Sequence, residues 1–162
     1  MMIKNITGVL VICLTAAVIG SSLTELPPEC NDYFILNDSS RNINHGWEGH
    51  CDRDDDWSIS PDWQGSNNWY RMMPPAGVVI PETSLEYEHC GTTLPGWING
   101  SHPTDEGEQV DVEVCFSWDT GDGKCDCYWS QNIEITHCIS YYVYYLPETQ
   151  WCNTRYCAAD TF

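Results

Sequence analysis

Nine cysteines follow residue 20, at positions 30, 51, 90, 115, 125, 127, 138, 152 and 157. What they can do depends on the compartment, and the start of the chain speaks to that. Lys4 precedes a short apolar stretch from Val9 to Ile19, and Gly20, Ser21 and Ser22 supply the small residues of a cleavage site. The stretch is too short for a comfortable membrane span. Residues 1–20 therefore read as a secretory signal peptide, which removes Cys13 and delivers the rest to an oxidising space. There, this cysteine density makes a disulfide framework rather than a thiolate metal site. Cys138, Cys152 and Cys157 have few local partners, so they must reach back and staple the two halves of the chain together. Nine is odd, so at least one cysteine stays free or pairs with another molecule.

The chain carries 24 acidic residues against six basic ones, a formal net charge of −18. Beyond Lys4 the basic residues are Arg41, Arg53, Arg71, Lys124 and Arg155. Such a chain repels nucleic acid and anionic membranes and suits a basic partner or divalent cations. Eight Trp and nine Tyr supply a core that a disordered acidic tail lacks. No second hydrophobic segment follows, and the ending CAADTF has no tail for a lipid anchor. The expectation is a secreted, extracellular chain with no membrane span in its mature form.

Residues 21–29 read as a short leader ending in Pro27 and Pro28. Residues 38–68, rich in Asp, Ser, Asn and Gly, read as a long loop with Asp52, Asp54, Asp55 and Asp56 on its surface. Trp69–Met72 starts a strand, Ala76–Ile80 is a short β-prone run between Pro75 and Pro81, and residues 91–108 form a turn-rich loop. The clearest strand is Gln109–Trp118, where Val110, Val112, Val114, Phe116 and Trp118 alternate with polar positions. Asp119–Gly123 turns, and Cys125–Trp129 returns antiparallel. A five-residue loop 119–123 places Cys115 opposite Cys127, at a separation a disulfide accepts, whereas a one-residue shift pairs Cys115 with Cys125. Ile133 and Ile135 mark a further short strand. The run Tyr141–Leu146 suits a half-buried strand that Pro147 ends. Helical periodicity of useful length is missing.

Read in order, several short pieces form a specific set. They are Cys30-Asn-Asp-Tyr33, Cys51-Asp52, Trp69-Tyr70-Arg71 with Ala76-Gly77, Cys90-Gly91-Thr92, Trp97-Ile-Asn-Gly-Ser-His-Pro103, Cys115, Cys125/Cys127, Cys138, Tyr141-Tyr-Val-Tyr144, Cys152 and Cys157. The set resembles the cysteine-rich domain family of uromodulin and the pancreatic zymogen-granule membrane glycoprotein, an eight- to ten-cysteine extracellular module. The resemblance implies the bridges Cys30–Cys138, Cys51–Cys152, Cys90–Cys157 and Cys115–Cys127. Ten-cysteine members carry a further cysteine six residues before the one matching Cys90; Ser84 stands there, and its usual partner matches Cys125. Cys125 is thus the expected unpaired cysteine, available for a covalent dimer. Asp126 also separates two cysteines that are adjacent in uromodulin.

Glycan acceptor sequons occur at Asn37-Asp-Ser39 and Asn99-Gly-Ser101, both in expected loops, and Asn99 matches a glycosylated position of the family. Uromodulin carries a decoy glycan for bacterial fimbrial adhesins just after its tyrosine run. Here Tyr145 occupies that place without a sequon, so the decoy role does not carry over. Asp119-Thr120-Gly121 matches half of an aspartic-protease signature, but that chemistry needs two aspartates sharing a proton, and the chain has one copy. Asp52, Asp54, Asp55 and Asp56, or Asp119, Asp122 and Asp126, offer oxygens to calcium, yet neither stretch fits the helix-flanked calcium loop. His45, His50, His89, His102 and His137 are scattered, with no helical metal pair or serine triad; His102 reads as a loop hydrogen-bonder.

The sequence therefore predicts a mainly β, small, disulfide-stapled domain of short antiparallel strands and long loops, spanning residues 30–162. It is expected to be a secreted, glycosylated, non-enzymatic binding or structural module with no catalytic residue, metal or cofactor, taking an extracellular protein or glycan partner. Two alternatives stand beside it: a small secreted hydrolase using carboxylates and a histidine, and a calcium-dependent matrix protein.

Overall fold

A computed structural model describes residues 25–55, 57–119 and 124–161, with backbone alone for 124–126. The expected signal peptide lies outside the described residues, as do residues 21–24 of the leader. Seven strands form one curled sheet. They are β1 (Phe34–Leu36), β2 (Asn68–Met72), β3 (Leu94–Ile98), β4 (Gln109–Asp119), β5 (Lys124–Cys138), β6 (Tyr141–Leu146) and β7 (Thr154–Tyr156). Their order across the sheet is β1-β2-β6-β5-β4-β3-β7. The inner pairs are antiparallel, and the outermost pairs, β1 with β2 and β3 with β7, are parallel.

The tyrosine strand shows why the sequence folds this way. Side chains alternate across a strand, so β6 serves two apolar clusters at once. Tyr144 and Leu146 enter the main core with Leu36, Tyr70, Ile98, Phe116 and Ile135. Tyr141 and Val143 face the smaller cluster around the Cys30–Cys138 bridge. In β4 the alternating Val110, Val112, Val114 and Phe116 contribute to the main core, while Trp118, at the end of the strand, is 36% exposed.

Four disulfides staple the chain, one of them between β4 and β5. Cys30 is bonded to Cys138, Cys51 to Cys152, Cys90 to Cys157 and Cys115 to Cys127, with Cα separations of 5.6, 5.1, 5.7 and 4.8 Å. The first three span 108, 101 and 67 residues of chain. Residues 138–157 thus anchor three earlier parts of the chain.

Several local expectations change. β3 lies inside residues 91–108, which read as a loop because of Pro95 and Gly96. A Cβ at Gly96 would sit 2.8 Å from the Arg155 carbonyl oxygen and 2.8 Å from the Phe116 ring, so glycine permits the close approach of β3 to both neighbours. Conversely, Ala76–Ile80 is no strand and makes one isolated bridge, Val79 with Ala159. Gly77 there adopts φ +136°, and a Cβ on it would meet the Ala159 carbonyl oxygen at 2.6 Å. β5 is one continuous strand rather than two short ones. The hairpin register also differs: Asp119 pairs with Lys124, and Cys115 faces Ser130 rather than Cys127. A bulge between Phe116 and Trp118 places extra β5 residues opposite Ser117, and Cys127 reaches Cys115 from within it.

Candidate functional site

The acidic run is where structure departs furthest from sequence. Asp52 is not on a loop surface; it is fully buried. Arg41 grips it with two hydrogen bonds, Nη1 to Oδ2 at 2.7 Å and Nη2 to Oδ1 at 2.8 Å. The Tyr156 amide donates a third, at 3.0 Å to Oδ2. The same guanidinium donates from Nε to Asp62 at 2.9 Å and from Nη2 at 2.7 Å. Arg155, also fully buried, donates to Asp38 Oδ2 at 2.9 Å and to Ser40 Oγ at 2.7 Å. Two guanidiniums and three carboxylates thus tie loop 38–62 to β7. Burial alone would lower the Arg41 pKa, but Asp52 and Asp62 outweigh it and raise it. Burial and the neighbouring Arg41 charge bring Arg155 down to about 10, still protonated at neutral pH. Burial would raise the Asp62 pKa, yet the Arg41 charge holds it below the usual carboxylate range.

This arrangement is a frame and not an acid–base centre. Asp52 is also lost to any calcium cluster, and its neighbours diverge from one another. Asp54 Oδ1 accepts from Trp63 Nε1 at 2.9 Å and the Ser66 amide at 2.8 Å, while Oδ2 accepts from Ser66 Oγ at 2.6 Å. Asp55 pairs with Arg53 at 2.9 Å. Asp56, the turn residues Thr120–Gly123, which include Asp122, and the Asp126 side chain lie outside the described residues. The signal that Asp52 goes inward is its neighbour: Cys51 is fully buried in a bridge, and the charge that meets the aspartate comes from distant arginines.

Glu82, His102 and Tyr144 line up as carboxylate, imidazole and hydroxyl. His102 Nδ1 lies 2.7 Å from Glu82 Oε1, and Nε2 lies 2.9 Å from the Tyr144 hydroxyl. An ionised carboxylate only accepts, so Nδ1 carries the proton and Nε2 accepts from Tyr144. Burial holds His102 below its ordinary pKa despite Glu82. The hydroxyl at the end of this relay is fully buried and accepts the Ile80 amide at 3.2 Å. Burial pushes the Tyr144 pKa far up. A nucleophile must meet its substrate, and this one is sealed in the core, so the relay fixes residues 80–82 and 102 against β6.

The remaining histidines do not share one centre. His45 and His50 each contact a different oxygen of Glu48, at 2.8 and 3.2 Å. His137 stacks on Tyr142 with ring centroids 4.8 Å apart. His89 Nδ1 contacts the Tyr87 carbonyl oxygen at 3.0 Å. Among the described residues, the one cluster with metal-ligand spacing is Glu113, Cys115 and Cys127. Its two sulfurs are bonded to each other, so neither is a thiolate ligand.

Asn37, just after β1, and Asn99, just after β3, are both exposed. Asn99 Nδ2 donates to Glu113 Oε2 at 2.8 Å. Ser84 is half-buried, and the Cys125 side chain is among those not described. The surface feature that sequence reading did not isolate is aromatic. Trp47, Trp57, Trp118, Tyr128 and Trp151 are 58%, 95%, 36%, 52% and 42% exposed. A cavity of about 510 Å³ is lined by Trp47, Glu48, His50, Trp57 and Asn153, among others. A cleft of about 270 Å³ lies between Leu94, Trp118, Tyr128 and Trp151. Both border the turn at 151–153. The tryptophans are dispersed in sequence, and no period connects them.

Residues 70–158 match the family described as the uromodulin-like domain. The chain is similar to the human pancreatic secretory granule membrane major glycoprotein GP2, at 31% identity over 131 residues, covering 79% of this chain and 21% of that protein. It is similar to rat uromodulin at 32% identity over 146 residues, covering 90% and 20%. The dog GP2 glycoprotein is 33% identical over 131 residues, covering 79% and 23%. The chain spans about one-fifth of the length of these relatives. Among the described residues, no helix is long and apolar enough to cross a membrane.

Proposed function

The chain belongs to the uromodulin-like domain family, and on that premise we propose that it is a secreted, glycosylated extracellular module that acts by binding and not by catalysis. One observation carries this reading: the titratable groups that the fold gathers are consumed by its frame. Arg41, Asp52 and Asp62 saturate one another in the interior, and the Glu82–His102–Tyr144 relay ends on a buried hydroxyl. A framework of four bridges suits an oxidising compartment. The signal peptide at 1–20 would deliver the module 30–162 to that compartment.

Asn99 and Asn37 are the proposed glycan acceptors. Attachment replaces one of the two protons on an asparagine Nδ2, so Asn99 can carry a glycan and keep its bond to Glu113. Cys125 is proposed to stay outside the four bridges and to offer a thiol for a covalent dimer.

Expression of the full chain in a secretory cell line tests these points together. The expected result is protein in the medium that shortens by two steps on glycosidase treatment, one step lost in Asn99→Gln and one in Asn37→Gln. Retention in the cytosol with the cysteines as free thiols would sink the extracellular reading. Reproducible hydrolysis of peptides or glycans, lost in Glu82→Gln, would sink the non-catalytic one. A dimer on a non-reducing gel that becomes monomer in Cys125→Ser supports the covalent pair, and monomer in both removes it.

A further inference from the structure

The surface is short of positive charge beyond what composition says. Arg41 and Arg155 are fully buried in the aspartate network. Arg71 lies over the Tyr141 ring, 3.7 Å from its centroid, and donates to the Tyr33 hydroxyl at 3.0 Å. Arg53 donates to Asp55 and to the carbonyl oxygens of Thr149 and Gln150. Every described arginine is thus committed within the protein, while the chain keeps 24 acidic residues. The outward field is that of a polyanion, and it attracts cations.

On this anionic surface five exposed aromatic rings, Trp47, Trp57, Trp118, Tyr128 and Trp151, lie around one turn. Trp118 and Tyr128 have centroids 6.2 Å apart, and Tyr128 and Trp151 6.3 Å. Next to them, the larger cavity has Trp47 and Trp57 among its walls, with Glu48 between them in sequence. Glu48 is held by His45 on one oxygen and His50 on the other, and each oxygen keeps a lone pair for a further donor. In the same loop, Asp55 pairs with Arg53, and the Asp54 amide donates to Glu148. Ring faces attract cations, most strongly for tryptophan. A planar guanidinium can stack on such a face and also take a carboxylate in bidentate fashion.

We propose that the Trp47–Glu48–Trp57 cavity and the adjoining Trp118–Tyr128–Trp151 cleft form one docking surface for an arginine-bearing extended segment of a basic partner protein. One guanidinium seats against Glu48 between tryptophan rings, and a neighbouring cation covers the Tyr128 and Trp151 rings. The proposal rests on the binding-module reading and gives that module a partner chemistry.

The test titrates the full chain, at about 0.15 M ionic strength, with a synthetic peptide of arginines spaced by glycines. The same peptide with citrulline in place of arginine, and a neutral oligomannose, serve as comparisons. Calorimetry and tryptophan fluorescence read the binding. The arginine peptide is expected to bind and the other two to leave the cleft unchanged. Trp57→Ala and Trp151→Ala should each weaken binding about five-fold, and Glu48→Gln should weaken it at least as much. Trp57 is 95% exposed, so its removal leaves the fold intact. Equal binding of the citrulline peptide overturns the proposal, as does an arginine affinity unchanged in both tryptophan variants, which reports diffuse charge alone. Oligomannose binding that Trp57→Ala abolishes overturns it in favour of a glycan site. Any of these failures leaves secretion and the absence of turnover, the marks of the module reading, to stand or fall on their own.

Discussion

Arg41 holds the interior of the long loop together, and its removal is the sharpest test of that statement. It is fully buried and bonded to both Asp52 and Asp62. Arg41→Ala would leave two aspartates inside with Arg155 as the remaining cation near them among the described residues, at 4.0 and 3.8 Å. Breaking a buried pair from one side costs about 3–5 kcal/mol, so urea unfolding should show a loss of that order; a loss below about 1 kcal/mol would mean the carboxylates find water. His102 sets the pH response. Its pKa is depressed by burial, so its contribution to stability is present above the unfolded value of about 6.5 and is lost as pH falls through the folded one. Asp38 and Asp62 are depressed as well and act in the same sense further down the scale. The melting temperature should therefore fall as the pH is lowered from about 7.5 to 5, and less so in His102→Gln. A flat wild-type profile over that interval would contradict the buried neutral imidazole. Asp62 is the counterpart that sequence reading overlooked: it sits among loop residues with no sign of its partner twenty-one positions earlier.

Strands and bridges behave differently as sources of order. Cys30–Cys138 closes a separation of 108 residues and Cys115–Cys127 only 12. Chain entropy gives about 5 kcal/mol for a loop of the first size and about 3 for one of the second, a difference of about 2 kcal/mol. The double variant Cys30→Ser/Cys138→Ser should thus lose more stability than Cys115→Ser/Cys127→Ser, by calorimetry or urea titration. Equal losses would show that the short bridge, pinned inside a bulge, does more than close a loop. The same elements show what could be read from sequence. The β6 strand carries its own evidence, because aromatic and branched aliphatic residues run unbroken from Tyr141 to the stop at Pro147, and the structure gives the same bounds. β4 carries it too, in strict alternation. β3 does not: Pro95 and Gly96 signal a turn locally, and the glycine has a place in the strand because the flanking β7 and the Phe116 ring approach closely there. The hairpin register was equally hidden, since two-residue periodicity is blind to a bulge. The aromatic face was beyond reach for a related reason: Trp47, Trp57, Trp118 and Trp151 come from four separate stretches, and long-range bridges rather than any local pattern bring them around one turn.

At the scale of the whole molecule, charge works in two opposite senses. The formal charge of −18 sets surface carboxylates against one another, and such self-repulsion destabilises a compact state. The attractive pairs that matter most, Arg41 with Asp52 and Asp62, lie in the interior, where salt screens little. Added salt should therefore weaken the repulsion and spare the attraction. The expected outcome is a melting temperature that rises as ionic strength goes from about 0.01 to 0.15 M, by about 3 °C for each kcal/mol of relieved repulsion. The affinity for an arginine-bearing peptide should fall over the same range, because the field that draws the peptide is the one being screened. Opposite slopes for stability and binding are the signature of a polyanionic surface over a neutralised core. A melting temperature that falls with salt would instead place the net stabilising charge pairs on the surface, such as Arg53 with Asp55. In that case the field offered to a basic partner would be weaker than the composition implies.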